Sequence, residues 1–119
     1  MSASLFERLG GIDGITRISS DLVDNHLANK AVAARFHDTE IAKFKTVVAD
    51  FFITGSGGPS RYTGKDMVAA HRGMNISAGE FMSVLDDAMQ ALEKNGVGQR
   101  EQEEVLYTLY SMRKEVVNV

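Results

Sequence analysis

Apolar residues recur along this chain at intervals of three and four, the spacing that lines one face of an α-helix. Residues 12–29 carry Ile15, Ile18, Leu22 and Val23 on one such face. Residues 39–53 carry Ile41, Phe44, Val47, Val48, Phe51 and Phe52, a stripe broad enough to face a core. Residues 78–94 carry Phe81, Val84, Leu85, Ala88, Met89 and Leu92, and residues 99–117 carry Val105, Leu106, Leu109, Met112 and Val116. Ser77-Ala78-Gly79-Glu80 reads as a capping box for the third of these helices. Asn95-Gly96 reads as its stop, because glycine enters the left-handed conformation cheaply. The last helix opens on Glu101, Glu103 and Glu104 and closes on Arg113 and Lys114, the charge order that suits a helix dipole. A shorter helix falls near 65–72, and the glycine-rich segment 54–64 is a loop. No segment alternates with period two. The pattern predicts an all-α protein of four main helices and one short one.

The chain has 119 residues, enough for a single domain over 1–119 with one sizeable core. Its 13 basic and 16 acidic residues give a net charge of -3, so a basic surface for nucleic acid or anionic lipid is not expected. Cysteine is absent, which removes disulfides, thiolate nucleophiles and zinc–thiolate sites. No apolar run approaches the length that spans a bilayer. Residues 1–11 lack the basic start and apolar stretch of a secretory signal. A cytoplasmic location, without membrane or nucleic-acid partners, is the expectation.

The candidate chemistry is narrow. The three histidines are His26, His37 and His71, and none forms a pair with the spacing of a zinc or di-iron site. No nucleophile–histidine–acid arrangement can be argued from spacing. Gly55-Ser56-Gly57-Gly58 runs into Pro59 rather than into a phosphate-loop lysine. His71 stands apart. It lies late in Asp66-Met67-Val68-Ala69-Ala70-His71-Arg72, with Met67 one turn before it on the same face. Met74, Ile76, Phe81, Val84 and Met89 follow, and Phe44, Val47, Val48, Phe51 and Phe52 precede it. One imidazole among Met, Phe and Val side chains is what a flat apolar macrocycle with an open iron position needs. The second ring nitrogen is then expected to donate to a carbonyl one turn earlier, fixing the tautomer. Spacing alone equally admits a satisfied histidine beside an ordinary core.

Several segments together resemble the first group of truncated haemoglobins, the two-over-two α-helical globins. Leu5-Phe6-Glu7-Arg8-Leu9-Gly10-Gly11 is similar to the family's opening motif. Gly57-Gly58-Pro59-Ser60-Arg61-Tyr62-Thr63-Gly64 is similar to its loop between distal and proximal helices. Met67-Val68-Ala69-Ala70-His71-Arg72-Gly73-Met74-Asn75-Ile76 is similar to its proximal segment, and Gly96-Val97 to the turn before its last helix. The resemblance runs from about residue 5 to 117. It implies a helical sandwich around haem b, with His71 as the axial iron ligand. Phe36 falls at the family's haem-packing phenylalanine. Phe44, Val47, Val48, Phe52, Met67, Ile76, Phe81 and Val84 are implied as the other haem-contacting residues. Arg61, Tyr62, Arg72, Lys43 and Lys45 are candidates for the propionates.

The chain departs from the family on the distal side. Relatives commonly carry Tyr in the second long helix and Gln or His on the distal helix. Here those places read Val23, Phe44, Val47 and Val48, with Leu22 before Val23 where Phe is common. A hydrogen bond to bound dioxygen is worth ~1–3 kcal/mol in a buried site. The implied protein is therefore a five-coordinate haem protein for O2, NO and CO that retains O2 weakly. Val47 excludes a second histidine ligand from its place. His26 lies three residues after Val23 and reaches the cavity only if the helix is rotated, whereas His37 is a loop residue at the haem edge. The alternatives are a nitric-oxide dioxygenase that needs an external reductase, kept open by Phe52 at a tunnel-gating place, and a degenerate globin serving as an interaction module. Carriage or sensing of diatomic gas is the leading expectation, with oxygen transport as its simplest form.

Overall fold

A computed structural model describes residues 3–119. The chain opens on a short helix, α1 (Leu5–Arg8), capped by Ser4, whose hydroxyl accepts the Glu7 N–H at 3.2 Å. The apolar spacing does not predict this turn. Arg8 then reaches Glu101 at 3.0 Å and pairs with Glu104, which ties α1 to the last long helix. Gly10, at φ 99°, turns the chain into α2 (Gly11–Ala28). Gly14 makes that turn tight, because an added Cβ there would fall on the Leu9 carbonyl oxygen.

The buried face of α2 carries Ile15, Ile18, Ser19, Leu22, Val23 and His26. It packs on α3 (Ile41–Gly55) and on α5 (Ala78–Lys94). A 3-10 turn over Ala33–Phe36 joins α2 to α3, and α4 (Met67–His71) precedes α5. α5 begins on the expected capping box: Ser77 Oγ accepts the Glu80 N–H, and the Glu80 carboxylate accepts the Ser77 N–H. It ends at Asn95, with Gly96 in the left-handed region at φ 71°. α6 (Gln99–Tyr110) packs on α5. The architecture is thus two helices, α2 and α3, against two others, α5 and α6, with no strand among the described residues.

The sequence pattern extends one helix over 99–117, whereas the structure breaks it. α6 stops at Tyr110, and a separate α7 covers Arg113–Val116. Ser111 Oγ donates to the Thr108 carbonyl at 2.6 Å, and the Met112 N–H bonds back only three residues, to Leu109. Side-chain competition of this kind loosens a helix from its regular ladder. The gain lies elsewhere in the fold. Val116 buries with Ile76, Phe81 and Leu85, and Val117 pairs in parallel with Ile76. The Asn118 N–H donates to the Ile76 carbonyl at 2.9 Å, and the Gly73 N–H donates to the Val119 carbonyl at 3.2 Å. The C-terminal segment therefore clasps the stretch that follows His71. α3 also runs two residues further than the spacing predicts, to Gly55.

Two predictions follow from these contacts. Gly14→Ala would force the Leu9 carbonyl aside and lower stability by about 1–3 kcal/mol, as overpacking does. Denaturant titration of the variant would show it as a fall in midpoint with unchanged slope. Arg35, whose side chain hydrogen-bonds Glu80, together with the Ser77 backbone, pulls the Glu80 carboxyl down to about 2 from its usual 4.5. A depressed carboxylate stabilises the fold above its unfolded value and loses that contribution as pH falls towards its folded one. The difference in thermal midpoint between the parent and Glu80→Gln should therefore be full at pH 7 and shrink between about pH 4.5 and pH 2.

Candidate cofactor cavity

The short helix α4 is set by Asp66, whose carboxylate accepts the Ala69 N–H at 2.8 Å. At its last residue, His71 Nδ1 lies 2.8 Å from the Met67 carbonyl oxygen. A carbonyl only accepts, so Nδ1 carries the proton and Nε2 is left with a free lone pair. His71 lines a cavity of about 430 Å³, which falls in the usual ~300–1,000 Å³ range of sites for small-molecule and cofactor-sized ligands.

All ten residues singled out from the sequence lie on this one cavity. α3 supplies Phe44, Val47, Val48 and Phe52, and the 3-10 turn supplies Phe36. Met67 and His71 come from α4, Ile76 from the following loop, and Phe81 and Val84 from α5. Phe36 and Phe44 stand with ring centroids 5.5 Å apart, which closes the corner between the turn and α3. Val47 is 39% exposed and marks the cavity mouth. Leu109, Met112 and Val116 also reach the cavity, so the broken last helix supplies part of its floor.

The structure places other sequence candidates apart. Val23 is fully buried in the core beside α5 and does not line the cavity. Of the propionate candidates, only Tyr62 lines it. Lys45 is paired with Asp24 at 2.8 Å, and Arg61 and Arg72 are exposed away from it. His37 is exposed, pairs with Asp38 at 3.1 Å and does not touch the cavity.

Two polar groups on the wall were not readable in the spacing. Arg35 is the first: it hydrogen-bonds Glu80 through two nitrogens and the Met74 carbonyl at 3.1 Å, joining the Phe36 turn to the loop after His71 and to the start of α5. The second is His26, which lines the cavity in the helix as folded, without any further rotation. It is 4% exposed, stacks on Phe36 with centroids 5.7 Å apart, and donates from Nδ1 to Asp87 Oδ2 at 2.7 Å.

Comparison with known proteins agrees with this geometry. The family model described as bacterial-like globin matches residues 4–118. A group 1 truncated hemoglobin of Tetrahymena thermophila is 30% identical over 94 residues, 79% of this chain and 78% of its own. The group 1 truncated hemoglobin GlbN of Mycolicibacterium paratuberculosis is 27% identical over 96% of this chain and 84% of its own. The crystal structure of truncated hemoglobin from Tetrahymena pyriformis, in its Fe(III) form, superposes with a TM-score of 0.94 at 26% identity, covering 98% of this chain and 100% of that one. Helix order, cavity and sequence match together place this chain in the bacterial-like globin family, among the group 1 truncated haemoglobins.

Proposed function

We propose that this protein binds haem b through His71 and takes up a diatomic gas on the opposite side of the haem. The observation that carries the reading is the arrangement at His71. Its Nδ1–H is held by the Met67 carbonyl while Nε2 faces a cavity walled by Phe, Val, Ile and Met. A neutral imidazole with its far nitrogen hydrogen-bonded is the form that ligates iron, and apolar walls bury a porphyrin. The residues therefore fit the group. When bound, haem supplies the iron position at which O2, NO or CO is held; the chain orients it and excludes water.

The remaining walls favour weak retention of dioxygen. No polar donor stands at Val23, Phe44, Val47 or Val48, and Phe44, Val47 and Val48 are among the α3 residues, all apolar, that face the cavity. Each lost 1.4 kcal/mol of stabilisation costs a factor of ten in affinity. CO and NO depend less on such donors, so discrimination shifts towards them. A nitric-oxide dioxygenase is the lesser reading, because its chemistry consumes a retained dioxygen and requires an external reductase; Phe52, on the cavity wall, keeps a gated approach for NO in view. Carriage or sensing in the cytoplasm suits the site better.

The purified protein should show a Soret band, with a five-coordinate ferrous spectrum that changes to a distinct CO-bound one when CO is added. His71→Leu should lose that spectrum while keeping its helical content; an unchanged spectrum would overturn the reading. Val48→Gln, which restores an amide donor, should slow dioxygen release by about tenfold in stopped-flow measurements, the equivalent of one added ~1.4 kcal/mol hydrogen bond. Mixing the oxygenated form with NO separates gas carriage from dioxygenation, since only the latter yields nitrate over repeated turnovers.

A further inference from the structure

Beside Phe36, His26 lines the cavity and pairs with a buried Asp87 behind it, a pair that gas binding does not use. His26 and Asp87 are 4% and 5% exposed, and His26 Nδ1 donates to Asp87 Oδ2 at 2.7 Å. Asn29 Nδ2 donates to the same oxygen at 2.9 Å, and Asn25 Nδ2 donates to the Asp87 carbonyl at 3.0 Å. The carboxylate is thus held by His26 and by Asn29 just past the end of α2, and the Asp87 backbone by Asn25. The His26 ring is pinned on its other side by the near-parallel Phe36 ring, at an interplanar angle of 15°.

That geometry gives one ring nitrogen a partner and leaves the other without one. Nδ1 is committed to Asp87. Nε2 has no hydrogen-bond partner among the described residues, yet it is not sealed off: the only enclosed side-chain polar atom without a partner among them is Ser19 Oγ. His26 lines the cavity, so Nε2 opens towards it. In its neutral form, a ring that donates its Nδ1–H to a carboxylate presents a bare lone pair at Nε2, which can take up a proton. The carboxylate behind it then stabilises the imidazolium, as in the histidine–acid pairs of general-base sites. The other ionisable groups on the cavity wall are less suited to this task. Arg35 and Glu80 neutralise each other, Tyr62 donates to the Lys65 carbonyl at 2.5 Å, and His71 is the residue that would hold the iron.

We propose that His26 and Asp87 form a proton-accepting pair that admits weak acids to the cavity as their anions. The inference deepens the haem reading and rests on it. For an acid H–X of the size of hydrogen cyanide or hydrogen sulfide, the H–X bond breaks and its electron pair stays on X. The proton forms a new bond to His26 Nε2, and X⁻ remains in the cavity with the imidazolium–carboxylate pair beside it. No oxidant or reductant is required. O2, CO and NO carry no proton and bypass the pair, so it selects ligands by acidity while the apolar α3 wall leaves dioxygen weakly held.

The test uses the haem-loaded protein at neutral pH, with cyanide (which is then mostly hydrogen cyanide) for the ferric form and CO for the ferrous form. His26→Leu should slow cyanide association by about tenfold or more, within reach of the ~10²–10⁴ that general acid–base groups supply, and change CO association by less than about twofold. Asp87→Asn, which keeps an oxygen opposite Nδ1 but removes the charge, should slow cyanide in the same direction. Histidine ¹⁵N spectra of the parent protein should show His26 protonated at Nδ1 alone in the CO form and at both nitrogens in the cyanide form. Unchanged cyanide rates in both variants, equal slowing of CO, or a bare Nε2 in the cyanide form would overturn the proposal. If His26→Leu fails to fold, the ¹⁵N spectra and Asp87→Asn decide it. Failure of the haem reading itself is distinct, because the parent would then show no Soret band.

Discussion

The site depends on one hydrogen bond inside one turn of helix, from His71 Nδ1 to the Met67 carbonyl. Five residues of helix do not hold themselves together in water, because nucleation costs more than a single turn returns. α4 persists through its surroundings. Asp66 caps its first turn, and the clasp of Ile76 and Gly73 by Val117, Asn118 and Val119 fixes the chain that leaves it. The break between α6 and α7 is what brings that clasp into place. A distortion more than 35 residues along the chain from His71 is thus part of how the imidazole is aimed.

The cavity explains why the core is divided. One buried cluster joins α2, α3, α5 and α6 around Ile15, Leu22, Ile53 and Leu92, and a second joins Ile76, Phe81, Leu85 and Val116. The cavity lies between them, touching Leu22 and Ala88 of the first and Phe81 and Val116 of the second. Apolar walls without a partner forgo dispersion contacts that close packing would supply. A ligand that fills such a space binds the folded state alone, and so couples its affinity to stability. The fold is in this sense completed by its cofactor.

Much of this was legible in the sequence, for reasons that are local. The α5 boundaries follow from Ser77, Glu80 and Gly96, whose conformational preferences act within a turn. The carbonyl partner of His71 follows from helix geometry once α4 is recognised. What was not legible depends on long-range contacts. Ser111 carries no strong stop signal, and the last helix breaks there because Val116 meets Ile76 forty residues away in the chain. α1 has a Ser4–Glu7 capping signal but too few residues to display a period. His26 is the instructive case: spacing puts it near the face of Val23, yet its partner Asp87 is 61 residues distant. The i, i+3 relation could not show that Val23 turns into the core while His26 meets the cavity.

That exchange accounts for the chemistry as a whole. An apolar residue in place of a distal tyrosine removes a donor, but it does not leave the cavity without polarity. A buried imidazole and carboxylate are costly to desolvate and persist only when geometry and hydrogen bonding are good. Here Asn29 holds the acid, Asn25 holds the Asp87 backbone, and Phe36 stacks on the ring. The buried polar pair beside the cavity thus stands at the junction of α2 and α5, whereas the α3 wall is apolar. A donor stabilises a gas that gathers negative charge, whereas an acceptor backed by a carboxylate favours a ligand that arrives with a proton. The rest of the wall adds no competing acceptor, since Glu80 is paired with Arg35 and His71 is the residue that would hold the iron.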